Sequence, residues 1–395
     1  MNWEEVHSTE FQKFVQDHLQ EDPALLLFKY QGKPNFDLKA AVHQIAARQK
    51  ISKKLPSWAK DPNLVFPASI SLEQSSSEET ALFKSKGLSG KWMIDLTGGF
   101  GVDSFYLSQG FEKGTYCEYQ EELAQIVSKN LEYLAPGKFE IVTGDGLAFL
   151  LSNKRNYDLI YVDPARRGKG NQKLYKLQDC QPDVVSVWDQ LKEKAQQILI
   201  KASPMLDISQ AFLELPDLQL IQIVSSKNEV KELLLHWKKG GNFSEKRIEA
   251  HDLGSNQPTF SFSMEQEEKA VSEFGEITEY LIEPMSGILK AGAFKLFGNQ
   301  FKLKKLEPNS HIYTSDFLPE NIPGRVFKVI QEVSANKKEI KKLFPKGKAN
   351  VITRNYLQGA NDLKKKLGLK DGGEDFLIGT KTSGGYKLVW CKRVK

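Results

Sequence analysis

From residue 91 onward, short apolar runs alternate with stretches whose apolar residues recur at helical spacing. The strand-like runs fall at 92–96, 114–118, 139–142, 157–162, 197–201, 218–224 and about 246–252. Helical patterns fill the gaps at about 102–109, 120–134, 146–152, 182–195, 206–214 and 228–238. Such alternation predicts an α/β domain, a parallel sheet with helices on both faces. Residues 1–60 read as helical, with Phe11, Phe14, Val15 and Leu19 on one stripe and Ala41, Ile45 and Ala46 on another. The basic stretch Arg48–Trp58 closes this part at Pro56, a helix stop. Residues 61–75 read as extended, and Ser76-x-x-Glu79 as a capping box that opens a helix over 80–86.

Beyond residue 275 the pattern changes. Segment 278–318 reads as a small α+β unit. Segment 323–395 has a lysine-rich helix at 333–344, a strand at 349–354, a helix at 359–367 and a hairpin through Ser383-Gly384-Gly385. The expected domains are therefore a helical cap (1–65), an α/β domain (66–270), a small α+β unit (275–320) and a basic module (323–395).

Composition narrows the class. A chain of 395 residues exceeds what one core usually serves, and 40% apolar with 27% charged residues is ordinary for a water-soluble protein. No run reaches the length of a membrane span, and the acidic start Met-Asn-Trp-Glu-Glu-Val-His lacks an export signal's apolar core. Three scattered cysteines and six dispersed histidines give neither a disulfide framework nor a metal spacing. A cytoplasmic protein without a metal and without a membrane partner is expected. The net charge of +5 hides an asymmetry. Residues 323–395 hold 18 Lys and Arg against 6 Asp and Glu, a balance of +12, and the rest of the chain stands at −7. Such a module suits a polyanion, although a solvated basic face would look the same.

The chemistry concentrates at residues 93–103, Met-Ile-Asp-Leu-Thr-Gly-Gly-Phe-Gly-Val-Asp. An apolar strand ends in Asp95, and a turn with Gly98, Gly99 and Gly101 leads into a helix, leaving room for a ligand. Twenty-three residues after Asp95, the next strand ends in Glu118, placed to accept hydrogen bonds from ribose hydroxyls. Asp95 before the glycines and Asp103 after them would repel a pyrophosphate. S-adenosylmethionine (AdoMet), with an ammonium, a sulfonium and no phosphate, suits the two carboxylates better. Asp145 follows the third strand in Thr143-Gly144-Asp145-Gly146, where it can serve the adenine amino group or cap the next helix.

Here the chain resembles the class I AdoMet-dependent methyltransferases, whose first motif reads D-x-x-x-G-x-G, with a seven-stranded Rossmann-like sheet. With Thr97 and Asp103, it is especially similar to the D-x-T-x-G-x-G-x-D form of some ribosomal-RNA guanine methyltransferases. The resemblance implies a cofactor site of Asp95, Thr97, Gly98, Gly99, Gly101, Asp103, Glu118, Asp145 and Gly146. The order of the whole chain resembles a bacterial group with a small ferredoxin-like insert and a C-terminal THUMP-like domain, which implies a ferredoxin-like unit at 275–320 and a THUMP-like domain at 323–395. The carrying motifs are Lys54-Leu55-Pro56-Ser57-Trp58, Glu283-Pro284 and Lys290-Ala-Gly-Ala-Phe294. THUMP domains dock structured RNA, so the resemblance implies a tRNA or rRNA partner. Arg325, Lys341, Lys342, Arg354 and Lys365 are candidate contacts in the basic module.

The fourth strand ends in Asp163-Pro164-Ala165-Arg166-Arg167. Amino-group methyltransferases often carry Asp/Asn-Pro-Pro-Tyr at this place. Asp-Pro is kept here, and an arginine stands where the ring would be, able to stack on a base or bind phosphate. Asp163, Pro164 and Arg166 are the candidate catalytic residues, with Arg166 and Arg167 also candidate RNA contacts. Carbon-5 uracil methyltransferases need a cysteine nucleophile at the end of the following strand. This chain has Ser203 in Ala202-Ser203-Pro204, and Cys180 falls at the expected start of a helix. Transfer to a base nitrogen, with guanine N2 first, is the expected activity. The alternatives are an RNA-binding or ribosome-assembly factor that keeps the fold without turnover, and a small-molecule methyltransferase.

Overall fold

The computed structural model describes residues 3–67, 69–166, 176–242 and 244–394, with the backbone alone at 69, 70 and 166. The strands are β1 (Gly90–Asp95), β2 (Phe111–Glu118), β3 (Phe139–Thr143), β4 (Tyr157–Val162), β5 (Ala165–Arg166), β6 (Cys180–Gln181), β7 (Ala195–Ala202), β8 (Leu220–Ser226) and β9 (Glu229–Lys238). They continue as β10 (Arg247–Leu253), β11 (Phe260–Ser263), β12 (Tyr280–Pro284), β13 (Lys304–Lys305), β14 (Tyr313–Ser315), β15 (Gly324–Val333), β16 (Asn350–Arg354), β17 (Asp375–Thr382) and β18 (Gly385–Arg393). The chain forms two compact units. One holds the residues up to Asp217 with Leu234–Gly241, the other Leu218–Leu233 with Asn242 onward.

In the first unit five parallel strands run in the order β7-β4-β1-β2-β3. All but the edge strand β3 are apolar on both faces, and Met93, Ile94, Tyr116, Cys117, Ile160, Val162, Leu199 and Ile200 are all buried. That is the burial expected of a parallel sheet covered on two sides. The chain leaves β1 toward β2 on one side and returns to β4 on the other. This puts a switch point beyond the carboxyl ends of β1 and β4, where such sheets bind ligands.

The helical N-terminus joins the same core. Trp58 of the Leu-Pro-Ser-Trp stretch packs edge-on against Phe100, ring centroids 5.1 Å apart, directly behind the glycine turn. The cap on the helix Glu78–Ser85 falls one residue later than the expected box: Ser77 accepts from the Thr80 amide, and Ser76 is released for another role. Part of the segment expected to be extended is a short helix, Ser69–Gln74. The helix expected from 182 begins at Trp188, because Asp183 accepts from the Val185 and Ser186 amides and holds a turn. Cys180 accordingly lies in β6, paired with Arg166, and not at a helix start.

One expected helix is a strand. Residues 228–238 carry charged, helix-favouring side chains, yet they form β9. Lys227 and Asn228 both adopt positive φ, 54° and 59°, which makes a two-residue hairpin turn out of β8. Leu233, Leu234, Leu235 and Trp237 are then buried on alternating faces, which no helix stripe could achieve. Tertiary burial overrides local propensity here.

In the second unit β8 and β10 are parallel and β11 pairs antiparallel with β10. A seven-stranded sheet follows in the order β13-β14-β12-β15-β18-β17-β16. The small α+β stretch and the basic stretch share this sheet through the antiparallel pairing of β12 with β15. Glu283, 1% exposed, explains part of the Glu-Pro signature. Its carboxylate accepts from Arg325, through Nε at 2.8 Å and a short Nη2 contact, and pairs with Arg354 Nη2 at 2.7 Å. Among the described residues, no helix is long and apolar enough to cross a membrane.

Candidate functional site

The carboxyl ends of the first unit's strands bring together most of the residues singled out above. At the turn after β1, Gly98 lies so close to Tyr116 that a Cβ would sit 2.1 Å from its ring. Gly101 adopts φ +79°, a conformation side chains resist, and a Cβ there would meet Val127 at 2.6 Å. Glycine at these two places lets the turn lie flat on β2. Glu118 closes it: one carboxylate oxygen accepts from the Gly99 amide at 2.9 Å and the other from the Gln120 amide at 2.8 Å. Each oxygen retains a lone pair for a diol. Gly146, beyond β3, packs against the Leu96 carbonyl.

Asp95 is almost fully buried. It accepts from the Thr97 amide at 2.9 Å and from Ser104 Oγ at 2.5 Å. Burial pushes its carboxyl up to about 7, against the pull of those two donors, and Asp103 and Asp163 add to the rise. Thr97 Oγ1 in turn accepts from the Asp163 amide at 2.7 Å, tying the glycine turn to the loop after β4. Asp145 is exposed, and one of its oxygens caps the helix Gly146–Ser152 by accepting from Leu147 and Ala148. Its second oxygen has no partner among the described residues.

Asp103 points elsewhere. Its carboxylate is held by the chain itself: Ser76 Oγ and Tyr161 Oη donate to Oδ2, each at 2.7 Å, and Lys84 Nζ lies 3.2 Å from Oδ1. Burial would raise this carboxyl, but the ammonium groups of Lys84 and Lys201 outweigh it and hold the group below its ordinary value. Ser76, released from the capping role, is thus spent here.

The pattern had passed over two lysines. Lys201, at the tip of β7, donates to Asp163 Oδ2 at 2.5 Å. Lys84 is fully buried. Both left a signal in the sequence: Lys201 interrupts an apolar strand at its carboxyl end, and Lys84 lies three and four residues beyond Ala81 and Thr80 on the buried face of its helix. A third lysine, Lys54, donates to the Leu72 and Glu73 carbonyls at 3.0 and 2.6 Å. Burial, with the Lys201 cation, pulls it down to about 8.

Of the remaining candidates, Pro164 is buried, the backbone of Arg166 pairs with Cys180, and the Arg166 side chain and Arg167 lie outside the described residues. Ser203 Oγ accepts from the Met205 amide. Cys117 is buried and its thiol is pushed far up by that burial, which leaves it inert as a nucleophile. In the second unit Lys341, Lys342 and Lys365 are exposed on the helices Lys337–Leu343 and Ala360–Leu367, which pack together through Ile340, Leu363 and Leu367. Arg325 and Arg354 are gathered on Glu283 instead. Among the described residues, no group of three or more His, Cys, Asp or Glu is placed to hold a metal ion.

A glycine turn after β1, an acid at the tip of β2 and an Asp-Pro loop after β4 define a class I methyltransferase fold. Comparison with known proteins agrees. Residues 280–323 match a ferredoxin-like domain family and residues 324–393 a THUMP domain-like family. The crystal structure of a "putative methyltransferase" from Porphyromonas gingivalis W83 is 30% identical, covers 100% of both chains and superposes with a TM-score of 0.89. Two uncharacterized S-adenosylmethionine-dependent methyltransferases from strains of Mycobacterium tuberculosis are 23% identical over 218 residues, 54% of this chain. The match spans 57% of the length of those relatives. The chain belongs to the S-adenosylmethionine-dependent methyltransferases with a C-terminal ferredoxin-like and THUMP-like pair.

The donor set fits that cofactor. Carboxylates (Asp95, Glu118 and Asp145) end or follow three neighbouring strands, and the glycine turn carries no Lys or Arg to meet a phosphate. Two predictions follow from the geometry. Glu118→Ala is expected to weaken AdoMet binding by about 1–3 kcal/mol, through lost charge-assisted hydrogen bonds and a loosened Gly99 amide; calorimetry reads it directly. AdoMet affinity is also expected to depend on pH through Asp95. Its folded pKa lies above the ordinary 3.8, so ionising it costs stability progressively as pH rises from about 4 to 7 and nothing further above that. A cationic ligand favours the ionised form, so affinity should fall below pH 7 by up to about tenfold per pH unit. Asp95→Asn should remove that dependence, and a flat wild-type profile would contradict the placement of the ammonium near Asp95.

Proposed function

We propose that this protein transfers a methyl group from AdoMet to a base nitrogen of structured RNA, tRNA or rRNA, with guanine N2 the first candidate. The observation that carries this reading is Asp163. Its carboxylate stands after β4, beside the glycine turn, one oxygen held by Lys201 and the backbone amide held by Thr97. Asp95, Glu118 and Asp145, with the turn Gly98–Gly101, are the groups that would hold the cofactor. When bound, AdoMet supplies an electrophilic methyl on a sulfonium that departs with the C–S electron pair. The chain's own work is to orient the amine, exclude water and take the proton that nitrogen loses as its lone pair forms the new N–C bond. Asp163 can accept the amine's hydrogen bond and that proton, and the Pro164 carbonyl is a second acceptor nearby. No nucleophilic cysteine is needed for this route, in keeping with Ser203 at the tip of β7.

RNA as the substrate class is supported by the THUMP-like stretch and its +12 balance. Phosphate neutralisation makes affinity salt-dependent by about 0.7–0.9 log units per log unit of salt for each contact. Because β12 and β15 share a sheet, deleting the basic stretch would damage the second unit; charge reversal is the cleaner test. Lys341→Glu with Lys342→Glu and Lys365→Glu is expected to flatten the salt slope of RNA binding by about 2–3 units and to leave AdoMet affinity unchanged. An unchanged slope would make these lysines a solubilising face.

A further inference from the structure

At the carboxyl tip of the sheet four charged side chains alternate in sign. Lys84 Nζ lies 3.2 Å from Asp103 Oδ1, Asp103 Oδ2 lies 4.0 Å from Lys201 Nζ, and Lys201 Nζ lies 2.5 Å from Asp163 Oδ2. Exposure rises along the series, from 0% for the Lys84 side chain through 10% and 14% to 36% for Asp163. Only the last member is more than marginally exposed. An exposed pair needs no such backing, and burying two lysines is costly unless each is paired and hydrogen-bonded. Tyr161 and Ser76 hold Asp103, and Asp103 backs Lys201. Thr97 fixes the Asp163 backbone from the turn after β1 while Lys201 fixes one carboxylate oxygen from β7. The other oxygen, Oδ1, has no partner among the described residues.

We propose that Lys201 is a positioning residue for methyl transfer. It clamps Asp163 Oδ2, with Asp103 and Lys84 as its anchor, so that Oδ1 is presented in one orientation to the target amine. The role rests on the reaction proposed above. An unclamped aspartate samples several rotamers, and a displacement of about 1 Å can cost as much as 10²-fold in rate.

The test compares wild type, Lys201→Met and Lys201→Arg, using labelled AdoMet and total RNA from a strain lacking the gene. Lys201→Met is expected to lower kcat about 10- to 100-fold. The KM for RNA, AdoMet affinity by calorimetry and the melting temperature should stay near wild type, and Lys201→Arg should recover most of the rate. If Lys201→Met does not fold, Lys201→Gln takes its place. A second readout needs no activity: acetylation of the Lys201 amine, followed by mass spectrometry, should rise severalfold in Asp163→Asn. Unchanged kcat in Lys201→Met, unchanged acetylation, or a rate loss matched by equal losses of cofactor affinity and stability would each overturn the role. A wild type that transfers no methyl removes the reaction and the role together. An active wild type with an equally active Lys201→Met removes the role alone.

Discussion

Replacing Asp163 by asparagine is expected to lower the rate of methyl transfer by about 10²- to 10⁴-fold, the range of a lost general base. The amide keeps the size and planarity of the carboxylate and can still accept one hydrogen bond. It cannot take a proton from the amine. Thr97 holds the backbone amide of residue 163 and not its side chain, so the glycine turn should survive the substitution. AdoMet binding should therefore change little, and the loss should fall on kcat. Steady-state kinetics with calorimetry on the same sample separates the two. An Asp163→Asn protein that transfers methyl at the wild-type rate would remove Asp163 from the chemistry.

The largest expected loss of stability comes from Lys84. Its ammonium is the nearest cation to Asp103 and has no access to water. Lys84→Met fills nearly the same space but leaves Asp103 in the interior with Lys201 as its remaining cation, 4.0 Å away. Removing one partner of a buried pair costs about 3–5 kcal/mol, because the other charge stays desolvated. The pH dependence follows in sign. In the wild type Asp103 is held below its ordinary value, so its stabilising contribution is complete above that value and is lost as pH falls through the folded pKa. In Lys84→Met the carboxyl rises, and protonating it relieves part of the penalty. The gap between variant and wild type should narrow on acidification. Asp103→Asn added to Lys84→Met should recover much of the loss. Denaturant titrations at two pH values test both statements, and a gap that widens at low pH would contradict them.

What could be read from the sequence follows from how local each signal is. Strands β1 to β4 and β7 each carry a short apolar run near their carboxyl end, and their positions were legible to within a few residues. The glycine turn, Glu118 and the Asp-Pro loop were legible because each is a short contiguous string at a strand end. β9 was not, because its identity depends on a hairpin made by Lys227 and Asn228, of which only the asparagine favours positive φ. The register of the cap at Ser77 escaped for a related reason: three consecutive serines offer the same capping acceptor, and Ser76 donates to Asp103 instead. The lysines were missed because each makes sense only through a distant partner, Lys84 through a residue 19 positions later and Lys201 through one 38 positions earlier. The basic stretch was legible as a charge balance. Its division into exposed helix lysines and an arginine pair on Glu283 was not, since that pairing joins residues 42 and 71 positions apart.

The most direct measurement of the central claim is methyl incorporation. Purified protein is incubated with methyl-labelled AdoMet and total RNA from a strain lacking the gene, and label is counted in RNA fractions and in small molecules. Label in a tRNA or rRNA fraction, absent with Asp163→Asn, is the predicted result. A protein that binds AdoMet yet labels no RNA pool would contradict the account.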